Sequence, residues 1–465
     1  MDSTIFIPGV KQEDLTRIFK EFKIKDISEL TKLARSKKIR KLKGFNSKTE
    51  MAILRGIKLI ENQPDYLPIG IALDFSNILI TELKAWPHIS QVLLVGDLRR
   101  GVEKIKSIDI LLKANYIELK DSLEKILLLD NEVSSSNKKT IYNSKLGIPV
   151  IFHFSSSREW GTDCILTTGS GQHLASLAKI VNTLPKFETE EEVYKNLNLP
   201  WIPPEIRETG YETEFAREGI LPELIDINEI KGDLHIHSRW SDGSNTIEEI
   251  ILNGIKLGYE YVAITDHSQA LKMAGGLRPE DLMRQIEEIN KLQLKYPQIR
   301  ILKGIEVDIL EDGTLDFTDD ILNKLDIVIA SIHSHFEMSK GDMTKRIIKA
   351  LKHPLVKIIA HPTGRILGKR PGYKVDINEV INAAAQTNKV LEVNASPDRL
   401  DIRDIHLQIA KTRGVKIAIN TDAHHIQSME DMIFGVQTAK RGWQGKENII
   451  NTWSYDKLIN YLSSI

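Results

Sequence analysis

GDLHIHSRWSDGSNTIEEIILNGIKLGYEYVAITDH, residues Gly232–His267, is one complete strand–helix–strand unit. Asp233–Ile236 reads as a short buried strand. Asn245 is the expected N-cap of the next helix, since its side chain can accept from first-turn amides. Ile247, Ile250, Ile251 and Ile255 then fall on one helical face. Gly258 ends that helix, and Tyr261–Thr265 follows as a second strand.

The pattern repeats toward the C-terminus. Ile299–Val307, Leu325–Ile332, Val356–Ala360, Lys389–Val393 and Val415–Ile419 are further apolar runs, so seven strands alternate with helices. Such alternation gives parallel strands joined by right-handed crossovers. An α/β architecture is predicted, closed as a barrel or left as an open sheet.

The strand ends carry an unusual set of side chains. The first gives His235 and His237, then Asp242; the second gives His267; the third carries Glu306. The fourth ends in His333, the fifth in His361, and the seventh in Asp422 and His424. In a barrel the C-terminal strand ends share one face, so these nine side chains should converge. His-x-His on a strand points both rings the same way. Imidazole suits zinc, manganese and iron, and carboxylates can bridge two ions. Nine donors exceed the needs of one tetrahedral ion, so two or three divalent ions are expected. Ten of the 13 histidines lie in this half. His335, His353, His406 and His425 have no place in the pattern and read as ordinary hydrogen-bonding residues.

Paired ions favour phosphate-ester hydrolysis, because they can activate a water and clamp the attacking and leaving oxygens. The nucleophile would be that water, with no separate general acid or base assigned. Arg239, Arg365 and Arg370 lie in loops beside the donors and are candidates for holding phosphate oxygens, the last two in bidentate fashion. Each could equally be a solvated loop arginine.

Composition limits the alternatives. The 465 residues carry a formal charge of −1, so nucleic acid would have to be captured by local patches. The single cysteine, Cys164, excludes a disulfide framework and suggests a reducing compartment. The best apolar stretch, 66–86, is interrupted by Asp74 and Glu82, and no leader pattern opens the chain. A cytoplasmic protein without a membrane partner is expected.

Ahead of the barrel, residues 1–64 read as short helices. In residues 65–186, Val92–Val95, Ile108–Leu112 and Pro149–Phe154 read as strands among helices. Residues 187–228, rich in Glu and Pro, read as an irregular connector to the unit at 229–465.

The motifs His235-Ile236-His237, Thr265-Asp266-His267, Gly304-Ile305-Glu306, His333, Ala360-His361-Pro362 and Asp422-Ala423-His424 resemble those of the polymerase-and-histidinol-phosphatase (PHP) superfamily. That resemblance implies a distorted (β/α)7 barrel, a trinuclear centre and Glu306 as its bridging carboxylate. Pro203-Pro204-Glu205-Ile206-Arg207-Glu208, His361-Pro362-Thr363-Gly364-Arg365 and Gly435-Val436-Gln437-Thr438 narrow it to bacterial family X DNA polymerases. In them the PHP domain is a 3′–5′ exonuclease.

The N-terminal half is similar to the same family but degenerate. Ile7-Pro8-Gly9-Val10 and Leu42-Lys43-Gly44-Phe45 look like helix-hairpin-helix turns whose second glycines are Lys11 and Asn46. Lys11 and Lys48 are the DNA-binding candidates of this part. Gly96-Asp97-Leu98-Arg99-Arg100-Gly101 resembles a nucleotidyltransferase motif in which Asp97 replaces a serine and would repel a triphosphate. Of three metal-binding aspartates the resemblance requires, the positions here are Ser107, Asp109 and Ile151. Binding of a nucleoside triphosphate, and polymerisation, are not expected. The expected protein is a metal-dependent phosphoesterase acting on DNA 3′ ends in repair. The competing expectations are a small-molecule phosphoesterase of histidinol-phosphatase type and a non-catalytic DNA-binding adaptor.

Overall fold

The computed structural model describes residues 5–10, 12–42, 44–45, 47–62 and 64–465, and places the side chains of all but Ser47 and Lys48 among them. Lys11, Lys43, Asn46 and the side chain of Lys48 therefore lie outside the described structure. The chain divides into two compact units, Met1–Leu221 and Pro222–Ile465.

In the first unit, helices Gln12–Phe22, Ile27–Arg35 and Ser47–Asn62 bury a common core of Leu15, Ile18, Leu30, Ala34, Ile53 and Ile57. Gly9 and Gly44 have φ of 76° and 91°, a left-handed backbone that favours glycine at both turns. Next comes a five-stranded sheet: β1 (Val92–Val95), β2 (Ile108–Lys113), β3 (Leu129–Ser135), β4 (Lys139–Ser144) and β5 (Pro149–Ser155). Its order is β1-β2-β5-β4-β3, and only the β2–β5 pair is parallel. The sequence reading missed the β3–β4 hairpin, whose strands LDNEVSS and KTIYNS are largely polar.

The stretch expected to be an irregular connector is instead partly helical. Thr189 accepts from the Glu192 amide at 3.2 Å and Glu192 reaches back to the Thr189 amide at 3.1 Å. That capping box starts the helix Glu190–Asn196. A second helix, Tyr211–Glu218, follows the prolines.

The second unit is a parallel seven-stranded sheet: β6 (Gly232–Ile236), β7 (Tyr261–Ile264), β8 (Arg300–Asp308), β9 (Ile327–Ser331), β10 (Ile358–Ile359), β11 (Val390–Asn394) and β12 (Ile417–Asn420). The strands pair in strict sequence order, as successive right-handed crossovers require. The sheet closes nearly into a barrel: Ile236 bridges Ala423, and the His237 amide donates to the Ala423 carbonyl at 2.9 Å. Alternation alone left barrel or open sheet undecided; the nearly closed barrel agrees with the distorted (β/α)7 barrel that the resemblance implies.

Alternation along each strand explains where the polar residues go. Val262, Ile264, Ile301, Ile305, Val328, Ala330, Leu391 and Val393 pack with the surrounding helices. Tyr261, Ala263, Leu302, Ile327, Ile329, Ile358, Val390 and Ala418 form a separate core with Trp453 and Leu458 of the C-terminal segment. With a period of two, that second face continues to His267, Glu306, His333, Glu392 and Asp422 at the strand ends. Each interior column is apolar at its base and polar at its mouth.

One detail differs from the sequence reading. The first barrel helix, Ile247–Lys256, is capped by Thr246 rather than Asn245. Thr246 and Glu249 form a reciprocal capping box at 3.2 and 2.9 Å. Asn245 instead accepts from the Ile426 amide at 3.1 Å, tying this turn to the loop beyond β12.

Candidate metal centre

All nine side chains singled out from the sequence meet at the mouth of the barrel. Glu306 is at their centre. Its Oε2 lies 2.8 Å from His267 Nδ1, 3.4 Å from His235 Nε2 and 3.5 Å from His237 Nε2. Its Oε1 lies 2.9 Å from His361 Nε2 and 3.5 Å from His333 Nε2. Asp422 Oδ1 is 3.0 Å from His237 Nε2, and Asp242 Oδ1 is 3.2 Å from His424 Nε2.

Three clusters have donor atoms all within 4.8 Å of one another: His237, Asp242, His267 and His424; His235, His237 and Asp422; His267, Glu306 and His333. His237 belongs to two of them, as does His267, so the clusters are fused rather than separate.

Two observations test whether these residues fit metal ions. Glu306 Oε2, His237 Nδ1 and His361 Nδ1 are buried without a hydrogen bond, and an unsatisfied buried polar atom is costly. His237 Nε2 and His235 Nε2 also face each other at 3.1 Å, a distance at which two unprotonated nitrogens repel. A cation in the cluster would satisfy Glu306 Oε2 and would lie between the two Nε2 atoms. The residues fit divalent ions.

The carboxylates and His237 are held in the forms that ligate, whereas burial is outweighed at His267 and His424, which nearby carboxylates raise. Burial, with His424 and His267 nearby, pushes His237 down to about 3. Burial would raise Asp422 and Glu306, but the surrounding imidazoles outweigh it and hold both well below the usual carboxylate range. Neutral imidazole and ionised carboxylate are the forms that bind metal. His235 is pulled the other way: burial lowers it, yet Glu392, Glu306 and Asp422 together raise it well above its ordinary value.

Residues behind the nine fix their orientation. Glu392 Oε1 pairs with His235 Nδ1 at 2.8 Å, which turns Nε2 toward the cluster. Glu392 also accepts from the His361 amide and from Asn420, each at 2.9 Å. His424 Nδ1 meets the Asp422 carbonyl at 2.8 Å, and Asn394 donates to Asp422 Oδ2 at 3.0 Å. His361 and Asp422 have φ of 30° and 53°, so the backbone bends to bring each side chain in. Such left-handed residues cluster at functional sites. Sequence reasoning missed Glu392 and Asn394, although both lie on the interior parity of β11.

The three candidate phosphate-holding arginines differ from one another. Arg239 is exposed and donates to the Ser244 carbonyl at 2.9 Å. Arg365 is 9% exposed and donates to the Leu400 carbonyl, so it staples two loops together. Arg370 is half-buried and donates to the Gly364 carbonyl at 2.8 and 3.1 Å. Arg399, not singled out from the sequence, lies at the cluster: its Nε is 3.6 Å from Asp422 Oδ2.

In the first unit the residues in register with a nucleotidyltransferase site are consumed internally. Asp109 is held by Ser107 at 2.6 Å and by His153 at 2.8 Å. Ile151 lies opposite Asp109 on β5. Arg99 forms a bidentate pair with Glu190 at 2.9 and 2.7 Å, and Arg100 pairs with Asp97 and, at 2.8 Å, with Glu208. Among the described residues of this unit, no three His, Cys, Asp or Glu side chains lie close enough to share an ion.

The PHP domain family matches residues 233–396. The DNA polymerase/3′-5′ exonuclease PolX of Bacillus subtilis (strain 168) is 39% identical over 468 residues, which span 96% of this chain and 82% of that protein. The chain belongs to the PolX family. A "Probable phosphatase" of Thermoanaerobacter sp. (strain X514) is 37% identical over 203 residues, spanning 41% of this chain and 78% of the relative. A crystal structure of histidinol phosphate phosphatase from Lactococcus lactis, complexed with zinc, L-histidinol and phosphate, aligns with a TM-score of 0.36 and 20% identity. That alignment covers 46% of this chain and 94% of that one. This PolX-family chain is a phosphate-ester hydrolase with a PHP barrel at its C-terminus. No helix among its described residues is long and apolar enough to cross a membrane.

Proposed function

We propose that this PolX-family chain is a 3′–5′ exonuclease or 3′-end phosphoesterase that acts on DNA in repair. In this reading His235, His237, Asp242, His267, Glu306, His333, His361, Asp422 and His424 hold two or three zinc, manganese or iron ions. The observation that carries it is the fused cluster around Glu306, which touches five imidazoles with a carboxylate in reach of two ions. When bound, such ions make hydroxide available near neutral pH and offset the charge that builds on phosphate oxygens.

The chain's own residues do the positioning. Glu392 fixes the His235 ring and the Asp422 carbonyl fixes the His424 ring. Arg399, beside Asp422, and Arg239, on the turn between His237 and Asp242, offer guanidinium donors to the phosphate undergoing attack. DNA as substrate is supported by likeness to PolX along 96% of the chain, the N-terminal helices included. Gly9 and Gly44 keep the backbone form that lets amides approach a phosphate. Lys11 and Lys48 are assigned the adjoining phosphate contacts.

The palm, the nucleotidyltransferase-like residues 65–186, is assigned no polymerase activity. Nucleotidyl transfer needs two divalent ions between primer hydroxyl and triphosphate. Ser107 and Ile151 supply no charge there, and Asp97 engages the Arg100 that would meet a triphosphate.

The test is a panel with manganese: 5′-labelled single strands, primed duplexes and small phosphomonoesters. Chelator-sensitive shortening from the 3′ end is expected. Hydrolysis of histidinol phosphate with no action on any DNA would move the assignment to a small-molecule phosphatase. Binding of DNA with no hydrolysis of any substrate would make the protein an adaptor.

A further inference from the structure

The loops after β10 and β11 carry more structure than a phosphate-ester site needs. Besides the Arg365–Leu400 contact, they are fastened to each other at three further places. Leu367 donates its amide to the Asp398 carbonyl at 2.6 Å, Lys369 pairs with the Asp398 carboxylate, and the Thr363 amide donates to Asp401 at 3.0 Å. This brings Arg370 close enough to Arg399 for each to feel the other's charge.

Arg370 sits over an aromatic ring. Its guanidinium carbon lies 4.3 Å from the centre of the Phe336 ring. Phe336 stacks in turn on Tyr373, with the planes 8° apart and the centroids 6.2 Å apart. Tyr373 is anchored by its hydroxyl, which donates to the Pro362 carbonyl at 2.9 Å. Gly364 closes the layer: a Cβ there would sit 2.3 Å from the Tyr373 ring, and its φ is 62°. Phe336 follows the candidate ligand His333 by three residues, and Arg370 follows His361 by nine.

The cost of this arrangement points to a ligand. Arg370 is half-buried, and its hydrogen bonds go to one neutral carbonyl, that of Gly364. No carboxylate pairs with it among the described residues. The charge that acts on it is that of a second arginine, Arg399. Among the described residues the carboxylate paired with Arg399 is Asp422, which belongs to the candidate metal cluster. A planar cation fixed over an aromatic ring, next to another cation, is a preorganised anion site.

We infer that Arg370, stacked on Phe336, binds the phosphodiester next to the scissile one, so that this site selects polynucleotides over esters with a single phosphate. This rests on the exonuclease reading. The scissile phosphate lies over the ion cluster with Arg399, and the strand's next phosphate meets the guanidinium edge of Arg370. Phe336 sets the plane of that guanidinium and is a positioning residue.

The test uses the full chain loaded with manganese, with two substrates: a 5′-labelled oligonucleotide and thymidine 5′-(p-nitrophenyl) phosphate, which has one phosphate only. Arg370→Ala should lower the ratio of kcat/KM for the oligonucleotide to that for the single-phosphate ester by about 10-fold, mainly through KM. Arg370→Lys should recover part of it and Phe336→Ala should lose part of it. The slope of log kcat/KM against log salt on the oligonucleotide should flatten by about 0.7, one single-strand phosphate contact. A merely structural role would not move that slope. Equal losses on both substrates, or an unchanged slope, overturn the inference while the exonuclease reading stands. If the wild-type chain ignores oligonucleotides and cleaves the ester, the exonuclease reading fails and this inference with it.

Discussion

At the barrel mouth, Glu306 faces five imidazoles and its Oε2 has no hydrogen bond. In the palm, each oxygen of Asp109 has a neutral or imidazole partner, Ser107 at 2.6 Å and His153 at 2.8 Å. The same contrast extends outward. Arg399 and Arg370 border the barrel site with a single carboxylate between them, whereas Arg99, Arg100 and Arg207 are each matched to a glutamate or aspartate. Polar side chains left without partners are costly unless a ligand completes them. A site whose members satisfy one another is structure. Under the proposed function the chemistry belongs to the barrel and the palm serves as scaffold, although both carry motifs of active enzymes.

The comparison breaks most sharply at the ligands. His237→Ala or Asp422→Ala should reduce hydrolysis to background on every substrate the wild type cleaves, with far-ultraviolet circular dichroism unchanged. Retained activity would mean that the fused clusters are not the reactive centre. Glu392→Gln should cost about 10–100-fold in activity or metal affinity, because it loosens the His235 ring without removing a donor. Metal titration of the apo chain reads this directly, and an unaltered titration would remove Glu392 from the site.

In the first unit the expected effect is on stability. Glu190 is buried and holds Arg207 at 2.7 Å and Arg99 at 2.7 Å. Burial would raise its carboxyl, but Arg207 and then Arg99 overcome that and depress it from 4.5 to about 2. A depressed folded value contributes stability that is present above 4.5 and lost as pH falls toward about 2. Glu190→Gln should destabilise this unit by about 3–5 kcal/mol at pH 7, since Arg207 keeps its charge without its partner. Urea unfolding should show the gap between variant and wild type narrowing below pH 4.5. A gap that widens in acid would contradict the assignment. The smallest effect is expected at Arg239, exposed and tied to a carbonyl. Arg239→Ala should cost a few-fold in KM for DNA, and a loss matching that of the ligand variants would place Arg239 in the reaction itself.

The barrel and its donors were legible because both follow one rule. A strand of period two, read past its apolar end, puts the next polar residue at the mouth, so His267, Glu306 and Asp422 announce themselves. Glu392 follows the same parity but was missed, because a lone glutamate inside an apolar strand has no neighbouring donor in sequence. Arg399 was passed over for Arg365 because a loop arginine carries no register. In the structure Arg365 turns to the Leu400 carbonyl and Arg399 turns to Asp422. The hairpin of Leu129–Ser135 and Lys139–Ser144 escaped because it lacks the apolar alternation that marks a strand. Glu190–Asn196 hid among prolines, although Thr189 and Glu192 have the spacing of a capping box.

One gel tests both halves of the account. A 5′-labelled primer on a longer template, with all four deoxynucleotides and manganese, is given to the wild-type chain and to Asp422→Ala. Shorter products alone are predicted for the wild type, and an unchanged primer for the variant. Primer lengthened along the template in the variant lane would contradict the silent palm, and shortening in that lane would contradict the barrel site.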